Sequence, residues 1–411
     1  MARLSVTKDR IRIVLTENIH PRAIQTFAAS GYTTIETVAG APEPEELRRL
    51  LADAHMIGIR SQTKLTAELL QSAPRLVCIG CFCIGTNQVD LGAAKRKGIP
   101  VFNAPYSNTR SVAELVLGEI IMLFRRIFEK SSQAHRGVWR KTATGAHEVR
   151  GKVLGIIGYG HIGSQLSILA EALGMRVHFY DIIDKLSLGN AEPCGSLDAL
   201  LQSSDVVSLH VPDSQTTRGM IGEGEIARMK PGAILINAAR GKVVDIEALA
   251  RAISSGQIGG AAIDVFPREP ASGEEALETP LRGLANVILT PHVGGSTEEA
   301  QANIGSEVAE KLVKFSDNGS TIGAVNFVEV ALPAQRNATR FLHIHRNVPG
   351  VLMRVNEVFS SRGLNIGAQY LRTDSDVGYM VSDIDGELDE GQGIRRDLES
   401  IDGTLRVRFL Y

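Results

Sequence analysis

No apolar stretch of the chain approaches the roughly 20 residues that a membrane span requires, which excludes a helical membrane span. An excess of one charge is missing too. Lys and Arg number 44 against 46 Asp and Glu, with a formal net charge of -2 and a pI near 6.6. Such a chain has no general field to attract nucleic acid or an anionic membrane. The first residues, MARLSVTKDRIRIVL, lack the apolar core and small-residue cleavage site of a signal peptide, so a cytoplasmic protein is expected. Cysteine is scarce: there are four, three of them within Val77–Ile84 (VCIGCFCI). No second Cys/His pair lies at metal-ligand spacing, so no metal is expected. Cys81 and Cys83 fall on one face of a strand and Cys78 on the other, as thiols used as small apolar side chains do. Internal repeats and low-complexity segments are absent. The single tryptophan, Trp139, sits in a polar stretch and suits either a subunit contact or a loop packed on its own domain.

What is present is an ordinary balance, 44% hydrophobic and 22% charged, over 411 residues, enough for two or three domains. Residues 11–105 alternate strands (Arg12–Thr16, Met56–Ile59, Leu76–Ile79, Val101–Asn103) with helices (Pro21–Gly31, Pro44–Ala54), which predicts a parallel sheet. A long helix over Ser107–Arg126, with Val112, Leu115, Val116, Glu119, Ile120 and Leu123 at helical spacing, carries the chain onward. Six further strands follow: Val153–Ile157, Arg176–Tyr180, Val206–Leu209, Ile234–Asn237, Gly260–Val265 and Val287–Leu289. After a helix over Thr297–Phe315, the segment Gly319–Pro333 is a linker candidate. The end of the chain reads as βαββαβ: Phe341–His345, a helix carrying Val351, Val355 and Phe359, strands Leu364–Thr373 and Gly378–Ile384, a helix over Arg395–Ile401, and Thr404–Leu410.

The strand Val153–Ile157 runs into Gly158-Tyr-Gly160-His161-Ile162-Gly163 and opens a helix. In this pattern the first glycine permits a tight turn, the second lets the backbone reach a pyrophosphate, and the third lets helix approach strand. Asp181 ends the next strand, where an acid binds the ribose hydroxyls and repels a 2′-phosphate. Ile182 and Ile183 follow it rather than arginine, so NAD is expected over NADP. His210, Val211 and Pro212 end another strand against the cofactor. Asp264 suits either the nicotinamide amide or a turn.

Arg240, Glu269 and His292 each stand just past an apolar run, where a parallel sheet binds its ligands. Imidazole titrates near neutral pH and can take a hydroxyl proton, a neighbouring glutamate orients it, and arginine grips a carboxylate through two parallel hydrogen bonds. Taken alone, His292 suits a structural histidine and Arg240 a surface cation. Together at one sheet edge they suit dehydrogenation of a 2-hydroxy acid.

The segments IGYGHIG, INAARG, DVFPREP and PHVGGS resemble, in order and spacing, the motifs of the D-isomer-specific 2-hydroxyacid dehydrogenases. The resemblance extends over nearly all of residues 11–411, through Arg60-Ser61-Gln62-Thr63, Gly80–Asp90, Asn103–Glu114 and Val325-Asn326-Phe327. It implies a substrate-carboxylate role for Arg240, acid/base catalysis by His292 and support from Glu269. Ala238, Gly294 and Gly295 join the expected cofactor residues. It also implies a doubly wound Rossmann nucleotide-binding domain (108–297) inserted in a flavodoxin-like α/β substrate domain (1–107 and 298–335). A ferredoxin-like ACT domain (336–411) completes the chain. Members of this form oxidise 3-phosphoglycerate, and some reduce 2-oxoglutarate. Arg60, Ser61, Asn108, Gln301 and Lys141 are then expected substrate ligands, with Arg60 and Lys141 set against solvated surface cations. The ACT resemblance implies L-serine as effector at His345, Asn347, Val348 and Asn365, and a homo-oligomer, expected to be a tetramer. Pro349 and Gly350 equally suit a purely structural turn. Two other readings stay open on sequence: a dehydrogenase for a different D-2-hydroxy acid, and an NAD-sensing binding protein of the same fold. Turnover with and without the substrate phosphate separates them.

Overall fold

The computed structural model describes residues 6–270, 275–333, 338–385 and 391–410. The expected boundary between 335 and 336 lies outside them. The chain divides into two compact units, Met1–Ser107 with Gln301–Tyr411, and Asn108–Ala300. Among the described residues no helix is long and apolar enough to cross a membrane.

The first unit holds a five-stranded parallel sheet of β1 (Ile13–Leu15), β2 (Ile35–Thr37), β3 (Met56–Ile59), β4 (Cys78–Cys81) and β5 (Val101–Asn103). Its order, β2-β1-β3-β4-β5, is the flavodoxin-like one. β1, β3, β4 and β5 are buried along their length and, apart from Asn103 at the end of β5, read as apolar runs, as strands covered on both faces do. Cys78 and Cys81 join the cores on opposite faces of the sheet, and burial pushes both thiols up. Neither is poised to react.

The second unit holds β6 (Val153–Ile157), β7 (Arg176–Tyr180), β8 (Ala191–Pro193), β9 (Val206–Leu209), β10 (Ala233–Asn237), β11 (Ile258–Ile263) and β12 (Val287–Leu289). They form one parallel sheet ordered β12-β11-β10-β9-β6-β7-β8. The expectation of six strands omitted β8, as it omitted β2. Both are three-residue edge strands with at most one fully buried side chain each, so neither prints an apolar pattern.

The C-terminal elements are β13 (Ala338–Arg346), β14 (Ile366–Thr373), β15 (Val377–Asp385) and β16 (Thr404–Leu410), with helices Val351–Ser360 and Gly391–Ser400. The antiparallel order β14-β15-β13-β16 is ferredoxin-like. This sheet packs within the first unit. Lys95 Nζ lies 2.9 Å from Asp374 and 2.8 Å from Asp376, and Arg406 Nη1 donates to the Leu76 carbonyl at 2.6 Å.

Gly319–Pro333, expected as a linker, is a packed strap. Phe327, Val330 and Leu332 bury against Leu342, Ile344, Tyr379 and Val381. Tyr379 Oη donates to the Gly319 carbonyl at 2.6 Å. Arg340, fully buried on β13, ties the strap at both ends. Its guanidinium bonds both Asp383 oxygens (2.6 and 2.7 Å) and donates to the carbonyls of Asn318 and Pro333, each at 3.0 Å. Replacing one member of a buried ion pair leaves the other charge uncompensated. Arg340→Met is therefore expected to destabilise the protein by about 3–5 kcal/mol in denaturant unfolding. A loss below about 1 kcal/mol contradicts this role.

Candidate active site

The site is built at the carboxyl ends of adjacent strands in the second unit. After β6 the chain turns through Gly158 at φ +93°, where a Cβ would come within 2.5 Å of the His210 carbonyl oxygen. Gly163 packs so closely that a Cβ there would approach the Gly158 carbonyl to 2.4 Å, yet a Cβ on Gly160 would meet nothing within 4 Å. Gly160 caps the helix His161–Ala172, whose first positions are His161 and Ile162. The turn is thus closed beneath and open above, at a helix N-terminus, which fits a pyrophosphate.

Asp181 stands beside this turn. Its Oδ2 accepts the Tyr159 amide at 2.9 Å and its Oδ1 the Ile183 amide at 3.2 Å. Lone pairs remain for ribose hydroxyls. His210 leaves β9, next to β6, with Nε2 2.9 Å from Ser208 Oγ and a buried, unpartnered Nδ1. Burial pushes its pKa down to about 4, so the ring is neutral at pH 7. Val211 and Pro212 follow it.

β10, β11 and β12 are neighbours, so Arg240, Glu269 and His292 leave one stretch of sheet edge. A Cβ on Gly241 would lie 2.0 Å from the Phe266 carbonyl oxygen, so the loops after β10 and β11 touch through backbone. His292 adopts φ +55°, and its Nδ1 lies 3.1 and 3.0 Å from the two Glu269 oxygens. That hydrogen bond, with the charges of Glu269 and Asp264, holds the imidazole pKa above its usual value, against burial and Arg240. Burial acts to raise the Glu269 pKa. Its bond and charge contact with His292, the Phe266 amide and Arg240 outweigh this and hold it below the usual range. The Arg240 Nη1 donates to the Ala239 carbonyl at 2.7 Å, and Asn237 Nδ2 donates to the Arg240 carbonyl at 3.0 Å.

Asp264 makes the hydrogen bonds of a turn residue. Oδ1 accepts Thr290 Oγ1 (2.6 Å) and the Val293 amide (2.8 Å), and Oδ2 accepts the Gly294 amide (2.9 Å). The carboxylate thus holds the His292 loop. Asn108 is buried against Gly295, where a Cβ would reach 2.4 Å from its Nδ2, and its Oδ1 has no partner. Ala238 is half-buried between β10 and Arg240. Sequence reasoning missed Glu119, which it took only as part of a helical face. Neither of its oxygens is hydrogen-bonded, and burial with the Asp264 charge pushes its pKa up to about 8. An acid on an apolar helical face was the available signal.

Arg60 and Ser61 follow β3 in the first unit, and Gln301 lies in the helix Glu298–Asn318. Lys141 is exposed in the loop before β6, beside Trp139, which is 89% exposed. Among the effector candidates, His345 is buried, with Nδ1 on the Arg346 carbonyl at 2.8 Å and Nε2 unpartnered. Asn347 Nδ2 donates to the Asp374 carbonyl at 2.7 Å, and Val348 is exposed beside it. Asn365 bonds Asp385 at 2.6 Å. Strand register pairs His345 with Gly378 and Ala338 with Asp385, so Asn365 stands at the opposite end of the sheet, roughly 20 Å away. One chain does not bring these residues together. Among the described residues no group of three metal-ligating side chains exists.

The family model for the NAD binding domain of D-isomer specific 2-hydroxyacid dehydrogenases matches residues 117–294. An AHAS small subunit-like ACT domain model matches 341–406. The chain is 58% identical to D-3-phosphoglycerate dehydrogenase of Haemophilus influenzae, covering 100% of this chain and 99% of the relative. It is 56% identical to that of Escherichia coli K12 over the full length of both. Its fold is similar to a crystal structure of D-lactate dehydrogenase from Aquifex aeolicus with NAD and lactic acid (TM-score 0.65, 31% identity, 74% of this chain and 95% of that one).

Because Glu269 raises the His292 pKa, Glu269→Gln is expected to lower it. Oxidation needs the neutral ring and reduction the imidazolium, so both pH profiles should move to lower pH. Turnover should fall roughly 10- to 100-fold through lost orientation. Unmoved profiles contradict the pairing.

Proposed function

The chain belongs to the D-isomer-specific 2-hydroxyacid dehydrogenase family, and on that premise we propose that it oxidises 3-phospho-D-glycerate to 3-phosphohydroxypyruvate, the entry to L-serine synthesis. The observation that carries this reading is the Glu269–His292 pair on the loop held by Asp264. NAD, when bound, supplies the hydride acceptor. Glu269 occupies His292 Nδ1, which leaves Nε2 as the nitrogen that takes the substrate hydroxyl proton. Arg240 grips the carboxylate through its fork of N–H donors. Gly158, Gly160 and Gly163 with Asp181 hold the dinucleotide, with Ala238, His210, Val211, Pro212, Gly294 and Gly295 around it.

A substrate with both a carboxylate and a phosphate asks for more positive charge than lactate does. Arg60 and Lys141 are read as supplying it, with Ser61, Asn108 and Gln301 adding neutral hydrogen-bond donors. Residues 336–411 are read as a regulatory domain for L-serine. The separation of Asn347 from Asn365 supports a pocket closed between two copies, with His345, Asn347 and Val348 from one and Asn365 from the other. Exposed Phe128, Val138 and Trp139 support a second contact between copies, and the two contacts together support a tetramer. Reduction of 2-oxoglutarate by the same groups belongs to this reading.

NADH formation is measured with 3-phosphoglycerate and with D-glycerate, and titrated with L-serine. Turnover is expected with a kcat/KM at least about 100-fold higher for the phosphorylated substrate, as for loss of a charged contact. Asn347→Ala should keep turnover and lose serine sensitivity. Equal kcat/KM for the two substrates sinks the substrate assignment, and NAD binding without turnover favours a sensor.

A further inference from the structure

We propose that Glu17 is a positioning residue for the anion-binding loop Arg60–Thr63, acting on the substrate through Arg60 and not touching it. The inference rests on reading Arg60 as a ligand of the substrate phosphate.

Glu17 follows β1 and Arg60 follows β3, neighbouring parallel strands paired as Leu15 to Gly58. Both loops therefore leave one edge of the first sheet. Glu17 and Asn18 adopt φ +58° and +51° in succession, a conformation that favours glycine. The chain nevertheless places a carboxylate here and buries the residue to 7% exposure. Backbone needs alone do not account for that choice.

The carboxylate collects main-chain donors from the loop opposite. Oε1 accepts the amides of Arg60 (3.0 Å) and Thr63 (2.8 Å), and Oε2 accepts that of Gln62 (2.9 Å). Only a carboxylate presents acceptors on both oxygens without a donor. On the other side, Gln88 Nε2 donates to the Arg60 carbonyl at 2.6 Å and to the Gly85 carbonyl at 3.2 Å. The hydroxyls of Thr16 and Thr63 lie 3.2 Å apart behind the loop. Arg60 is held through both its amide and its carbonyl.

The charge arithmetic matters as much as the clamp. Among the described residues no ion pair reaches the Glu17 carboxylate, which is satisfied by peptide N–H groups. Arg60 Nη1 contacts the carbonyl of Glu17, at 3.4 Å, and not its carboxylate. The acid therefore orients the loop without neutralising the guanidinium, which keeps its charge for an external anion. Ser61, exposed between two clamped residues, is held by the same bonds.

The test is steady-state oxidation of 3-phosphoglycerate and of D-glycerate by the full-length protein at saturating NAD. In Glu17→Gln the new amide group meets a peptide N–H, so at least one donor loses its partner. KM for 3-phosphoglycerate is expected to rise about 10-fold with kcat within about 2-fold, as for loss of substrate binding alone. KM for NAD and KM for D-glycerate should stay near their original values. Glu17→Asp keeps the carboxylate and should fall between, and Gln88→Ala should raise the same KM from the other side. Should Glu17→Gln fail to fold, the KM of Gln88→Ala decides in its place. Arg60→Ala is the reference. An unchanged KM in Arg60→Ala overturns the phosphate reading and the clamp with it. A raised KM in Arg60→Ala beside an unchanged one in Glu17→Gln overturns the clamp alone. A fall in kcat shared by both substrates shows a merely structural role and overturns it too.

Discussion

The chemistry of the second unit depends on the carboxylate of Asp264. One hydroxyl and two amides converge on it, and together they shape the turn that carries His292. A non-glycine residue in the left-handed region costs about 1–2 kcal/mol. The His292 backbone bears that strain because charge-assisted hydrogen bonds on either side outweigh it. The strained turn in turn lets the imidazole meet Glu269 across the gap between two strand ends. Glu119 is buried within reach of the Asp264 charge. Burial and the Asp264 charge push its pKa up to about 8, so it is mostly protonated at neutral pH.

The first unit repeats the device. Glu17, like Asp264, is a buried acid just past a strand whose oxygens accept amides of a loop bearing a candidate site residue, Arg60 in one case and His292 in the other. Non-glycine residues with positive φ occur in both constructions. Each acid is worth more than a surface pair such as Arg110–Glu114, which solvent screens and side-chain entropy weakens. Burying an anion is costly, and main-chain donors repay it only where the loop geometry is held.

The C-terminal sheet solves a different problem. Its strap is joined to it by Arg340 and by the Tyr379–Gly319 bond, so the sheet has little freedom to swing at Gly319. His345 and Asn347 occupy one end of this sheet and Asn365 the other. Under the reading proposed above, a small ligand that touched all three would have to touch two copies, so its binding would depend on how copies are arranged.

Much of this was legible in order along the chain. β3, β5, β6, β7, β9, β12 and β16 fall where unbroken apolar or alternating runs predict them, because burial against a sheet leaves a local periodic trace. The glycine turn and the polar residues past β10, β11 and β12 were equally visible, since spacing from a strand end is a linear property. The edge strands β2 and β8, the packing of Gly319–Pro333 and the partners of Glu17, Asp264 and Arg340 were not. Those depend on which donors arrive from elsewhere: Glu17 reaches a loop more than 40 residues away, and Asp264 one nearly 30 away. Local pattern reports whether a side chain is covered. Which distant amide it accepts is decided only when the strands take their order in the sheet.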